Sequence, residues 1–126
     1  MVLALAVSGG GGGTRKSTDF ATLVGQWTRT ATNADVKRTG ATGIPAGSAW
    51  TLTINKGGTA AVSGTTGDEF DGTVVTAGVN RVHINLGLSY PDAYRWSVSG
   101  QQLTFTKISD SVADRAAVFW GVWKRK

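Results

Sequence analysis

The chain has 126 residues, among them 18 Gly, two Pro and five Trp, and its 13 Lys and Arg against eight Asp and Glu give a formal charge of +5. That length has room for one domain; the lack of Cys and the single His, His83, exclude disulfides, thiolate chemistry and a multi-histidine metal site. The basic excess gathers at Arg15-Lys16 and Lys124-Arg125-Lys126, so solvated chain ends are a simpler account of it than an anionic partner.

Residues 1–18 read as a leader and linker, and 19–126 as the folded domain. Met1 to Val7 is an apolar run too short to cross a bilayer and lacks the basic segment that opens a complete signal peptide. It looks like the tail of one. Bacterial lipoprotein signals end in a Leu-Ala-x-Cys box followed by a Gly-rich tether; here Ser8 stands where that Cys would be, ahead of Gly9 to Gly13. The run is therefore a truncated or Cys-replaced leader, with lipid anchoring of the native precursor, or a coincidental likeness. A tethered, extracytoplasmic domain is the expectation, since Gly/Ser segments behave as flexible linkers.

The domain opens with Leu23-Val24-Gly25-Gln26-Trp27-Thr28-Arg29-Thr30. In a strand, alternate side chains share a face, which puts Leu23, Gly25, Trp27 and Arg29 together; if that face points inward, Trp27 plugs one end of a small barrel. A strand glycine marks a close approach by another group. Next, Thr32 to Gly40 has the marks of a short helix. Thr32 or Asn33 can cap it, Asp35 lies in the first turn, Lys37 and Arg38 lie near its end, and Gly40 suits the left-handed C-terminal position. Its expected place is across one mouth of the barrel.

Hairpins follow. Trp50, Leu52 and Ile54 alternate with Thr51 and Thr53, and turns at Asn55 to Gly58 and Gly64 to Gly67 bracket a strand over Thr59 to Ser63. Further strands are expected near Glu69 to Thr76 and over Val79 to Leu86, where Val82, Ile84 and Leu86 oppose Arg81, His83 and Asn85 and the inward face stays open. Ser89-Tyr90-Pro91-Asp92 turns the chain into a strand whose Tyr94, Trp96 and Val98 share a face. Leu103, Phe105 and Lys107 alternate in the next one. Asp110 to Arg115 forms a helical turn, and Ala117 to Arg125 is the expected closing strand. Locally connected antiparallel strands close most economically as an up-and-down barrel, which removes the sheet edges. The fold class is thus all-β, a single barrel of eight (8–10) strands with one or two short helices.

Four stretches, in this order, resemble small bacterial lipocalin-like (calycin) domains: Gly25-Gln26-Trp27, Ser48 to Ile54, Tyr94 to Val98, and Asp114 to Val118. In that family the first strand carries Gly-x-Trp, and an Arg from the last strand or the segment before it packs across the Trp ring; Arg115 and Arg125 are the two candidates. The resemblance implies a barrel with a cavity and names no ligand.

The functional question is whether the lumen is filled or hollow, since Trp50, Tyr94, Trp96, Phe105, Trp120 and Trp123 suit either. Ligand sites are mostly apolar with a few orienting polar groups. The expected lining is Arg29, Trp50, His83, Tyr94, Trp96, Phe105 and Trp120, holding a small apolar or aromatic molecule in a monomeric carrier without cofactor or metal. The alternative is a small barrel enzyme, a cyclase, isomerase or hydrolase, with His83 and Tyr94 as acid and base aided by Asp68, Glu69 or Asp71. No spacing ties these residues together, and no nucleophile or phosphate-loop motif appears. A polyanion surface of aromatic and basic residues, Tyr94-Arg95-Trp96 and Trp123-Lys124-Arg125, fails if the rings point inward, and no nucleic-acid partner is expected.

Overall fold

The computed structural model describes residues 16–17, 19–86 and 91–126; Ser8, all of the expected leader and linker except residues 16 and 17, and residues 89 and 90 of the expected turn lie outside them. Eight strands form the barrel: β1 Gly25–Thr30, β2 Ala49–Ile54, β3 Thr59–Gly64, β4 Glu69–Thr76, β5 Arg81–Leu86, β6 Asp92–Ser99, β7 Gln102–Asp110 and β8 Gly121–Arg125. Each pairs antiparallel with the next, and β8 returns to β1 with Lys124 opposite Thr28 and Arg125 opposite Trp27, so the sheet closes on itself. The β5–β6 ladder is the shortest link beside that closure, Arg81 opposite Arg95 and Val82 opposite Tyr94. Further along the same edge of β6, a two-residue strand, Lys16–Ser17, pairs with Ser99 and Val98.

Alternation builds the core as the strand pattern requires. Trp50, Leu52 and Ile54 are buried on β2, Val82, Ile84 and Leu86 on β5, and Tyr94, Trp96 and Val98 on β6, which fixes the inward face of residues 81–86. Trp27 is fully buried, and its indole Nε1 donates to the Leu23 carbonyl at 2.9 Å, the last residue of a 3-10 turn, Phe20–Leu23, that follows the Asp19 cap. Gly25 is explained by the same corner. Arg125 lays its guanidinium 4.0 Å from the Trp27 ring centre and donates to the Val24 and Thr22 carbonyls. A Cβ on residue 25 would stand 2.7 Å from Arg125 Nη1, and the backbone there has φ +136°. Of the two arginines expected across Trp27, Arg125 takes the place; it is no solvated tail cation.

Two helices interrupt the strands. α1, Asn33–Thr39, starts at a reciprocal capping box between Thr32 and Asp35 and ends with Gly40 in the left-handed region. α2, Ala113–Phe119, corrects the expected closing strand: residues 117–119 are helical, and the strand begins only at Gly121. The β5 strand likewise starts at Arg81, leaving Val79 exposed ahead of it. No helix among the described residues is long and apolar enough to cross a membrane.

Candidate functional site

Helix α2 is held at both ends by groups distant in sequence. At its C-terminus the carbonyls that no helical amide can reach are bonded by Arg29, whose Nη1 donates to Ala117 and Val118 at 3.0 and 2.9 Å and whose Nη2 donates to Trp120 at 3.0 Å. Arg38 of α1 adds a bond of 2.7 Å to the Trp120 carbonyl. Asp35 ties the two arginines together, 2.7 Å from Arg29 Nη2 and 3.1 Å from Arg38 Nη2. Burial alone would raise the Asp35 carboxyl, but bonds from Thr32 and the Arg29 charge outweigh it and hold the group below its ordinary range. In the first turn of α2, Asp114 Oδ1 accepts from the backbone amides of Thr42 and Gly43, both at 3.1 Å.

So pinned, α2 roofs a cleft of about 350 Å³ at one end of the barrel. Trp50, Val62 and Leu86 form its floor from the inner faces of β2, β3 and β5; Val118 and Phe119 form the roof; Gly43 and Ile44 close one side. Asp68 and Phe70, both exposed, mark the mouth, and the half-buried Asp114 lines the cleft with its carboxylate against Gly43. The lid expected of residues 32–40 is thus supplied by α2, with α1 bracing it from behind.

Beside the cleft lies a buried polar cluster. Arg115, which lines the cleft, donates through Nε to Asp110 Oδ2 at 2.9 Å and through Nη2 to Asp110 Oδ1 at 2.8 Å, and its Nε is 3.2 Å from Asp92 Oδ2. Tyr94 donates its hydroxyl to Asp110 at 2.6 Å, and the Ile84 amide donates to Asp92 at 2.7 Å. Burial would lift Asp110, yet the Arg115 and Tyr94 bonds prevail and keep it below the usual carboxylate range. Asp92 goes the other way, raised because burial outweighs its partners. The Tyr94 hydroxyl is pushed well up, by burial first and by Asp110 next, so it stays protonated.

Of the seven residues expected to line the site, only Trp50 lines the cleft. Tyr94, Trp96 and Phe105 are fully buried in the filled part of the lumen, where Tyr94 meets Phe105 edge-on at 6.2 Å and Phe105 meets Phe119 at 6.3 Å. Trp96 Nε1 has no hydrogen-bond partner among the described residues. Arg29 serves as the cap of α2. Trp120 lies half-buried beyond the helix end, with the Arg38 guanidinium 3.6 Å and the Lys107 ammonium 5.1 Å from its ring centre. His83 is on the exposed face of β5, its Nδ1 bonded to the Asp92 carbonyl. His83 and Tyr94 therefore touch one polar cluster from opposite sides and do not meet at the cleft. Val62, Phe70, Leu86, Val118 and Phe119 line it without having been expected there; their signal is the inward phase of β3, β4 and β5 and the helical phase of α2.

Set beside known proteins, the chain matches no family model, and no curated protein or solved structure is significantly similar to it.

Proposed function

We propose that the protein is a small-molecule carrier of the lipocalin-like type, and that one apolar or aromatic guest occupies the cleft under α2. The reading rests on the contrast between a lumen filled by Trp27, Trp96, Trp123, Tyr94 and Phe105 and an apolar hollow of about 350 Å³ at the other end, within the usual size range of ligand pockets. The Gly25, Trp27 and Arg125 corner supports the family likeness. Extracytoplasmic placement on a tether belongs to the same proposal and is supported by the composition of residues 1–18. Enzymatic use of the barrel has less support, since His83 faces outward and Tyr94 is committed to Asp110.

The test is a fluorescence titration with the neutral probe N-phenyl-1-naphthylamine. Saturable one-to-one enhancement is expected, and it is lost in Val62→Phe and Val118→Phe, whose rings fill the hollow. Probe binding that survives both substitutions, or that never saturates, overturns the assignment.

A further inference from the structure

We propose that the guest of this cleft is a cation, an apolar amine whose ammonium head sits at the mouth between Asp68 and Asp114 while its body lies against Trp50 and Phe119. The proposal deepens the carrier reading and depends on it. Its basis is a charge arrangement opposite to that of the chain as a whole. The protein carries +5, yet two of its eight acidic residues line this cleft, and two more, Asp92 and Asp110, stand behind Arg115, the one cation among the described lining residues.

Arg115 is not placed to receive a carboxylate guest. Its side chain is 3% exposed, Asp110 accepts two bonds from it, and Asp92 lies on its Nε, so its charge is already matched within the protein. An acidic amphiphile would enter past Asp68 and Asp114 toward the one described lining cation, Arg115, which Asp110 and Asp92 already engage, and like charges in a part-buried site repel more strongly than in water. An ammonium finds the reverse. Asp68 uses one oxygen for the Thr66 hydroxyl and Asp114 one for the Thr42 and Gly43 amides; Asp68 Oδ1 and Asp114 Oδ2 take no hydrogen bond among the described residues. The rings of Trp50, Phe70 and Phe119 line the cleft, and the face of an aromatic ring attracts a cation and repels an anion.

Three probes that share one ring system and differ in the head group separate this from the carrier reading: 1-naphthylmethylamine, 1-naphthalenemethanol and 1-naphthoate, titrated calorimetrically at neutral pH and low salt. The amine is expected to bind at least about tenfold more tightly than the alcohol, and the carboxylate most weakly. Asp68→Asn, at an exposed site, and Asp114→Asn, which keeps the oxygen that accepts from Thr42 and Gly43, bring the amine toward the alcohol, the amine losing more affinity than the alcohol does. Equal affinity for all three overturns the charge preference while the cleft remains a site, and tightest binding of the carboxylate overturns it in favour of Arg115. Absence of binding by any of them removes the carrier reading and this one together.

Discussion

Arg125 and Trp27, opposite each other in the β8–β1 ladder, are also stacked, the guanidinium 4.0 Å from the ring centre, and the stack occupies the space a side chain at position 25 would need. Closure of the barrel and the cover over its plug therefore share one contact. Trp27→Ala leaves a cavity that the filled end of the lumen cannot collapse into, with an expected loss of about 3 to 5 kcal/mol. Urea denaturation checks it; a loss below about 1 kcal/mol would show that the ring is not the plug.

Gly25→Ala meets Arg125 Nη1 and a backbone at φ +136°, a conformation L-residues avoid. A cost of about 1 to 3 kcal/mol is expected from the backbone alone. Because the guanidinium must also move, Gly25→Ala and Arg125→Ala are expected to be non-additive, the double variant losing less than the sum. A double-mutant cycle in urea reads this directly.

Asp110 accepts from Arg115, Tyr94 and the Val112 amide. Tyr94→Phe removes one bond to a charged acceptor and is expected to cost about 1.5 to 3 kcal/mol. Asp110→Ala leaves the Arg115 charge buried beside Asp92 alone and costs more, about 3 to 5 kcal/mol. The order of the two denaturation midpoints is the result to check: Asp110→Ala must fall below Tyr94→Phe.

The same cluster sets the acid limb of stability. Asp110 and Asp35 are both held below their ordinary values in the folded chain. The unfolded chain therefore takes up their protons first as the pH drops, so the stability they contribute is complete above about pH 4 and is lost as the pH falls through their folded values. Asp92, raised by burial, opposes this in part, because its protonation favours the folded state. Urea midpoints are expected to hold steady down to about pH 5 and to decline below about pH 4, with a shallower decline in Asp35→Asn. A midpoint that rises on acidification would show that Asp92 governs instead.

Much of the barrel is legible in the chain because strand alternation is a local property: Trp50, Leu52 and Ile54, or Tyr94, Trp96 and Val98, declare their face without help from elsewhere. Helix α1 is legible through its ends, where Thr32, Asp35 and Gly40 supply cap chemistry. Helix α2 is not. Val112 before it offers no capping side chain, Val118 and Phe119 suit a strand equally well, and the groups that satisfy its last carbonyls are Arg29 and Arg38. Without that helix the cleft has no roof, and nothing local separates Trp50, which lines a hollow, from Trp96, which fills one. Arg29 illustrates the same limit, since a strand arginine near aromatics resembles a ligand contact until the helix end it caps is in view.

The junction of β5 and β6 gives the cylinder a clasp. Beyond Val82 the backbone ladder gives way to side chains: the Asp92 carboxylate holds the Ile84 amide, and the imidazole at 83 holds the Asp92 carbonyl from outside. A hoop fastened there by two side-chain bonds has at this seam, as at the β8–β1 closure, one of its two shortest ladders. Hydrogen exchange at the Ile84 amide thus measures the looseness of this seam, and the floor residue Leu86, two positions on, places that breathing beside the cleft.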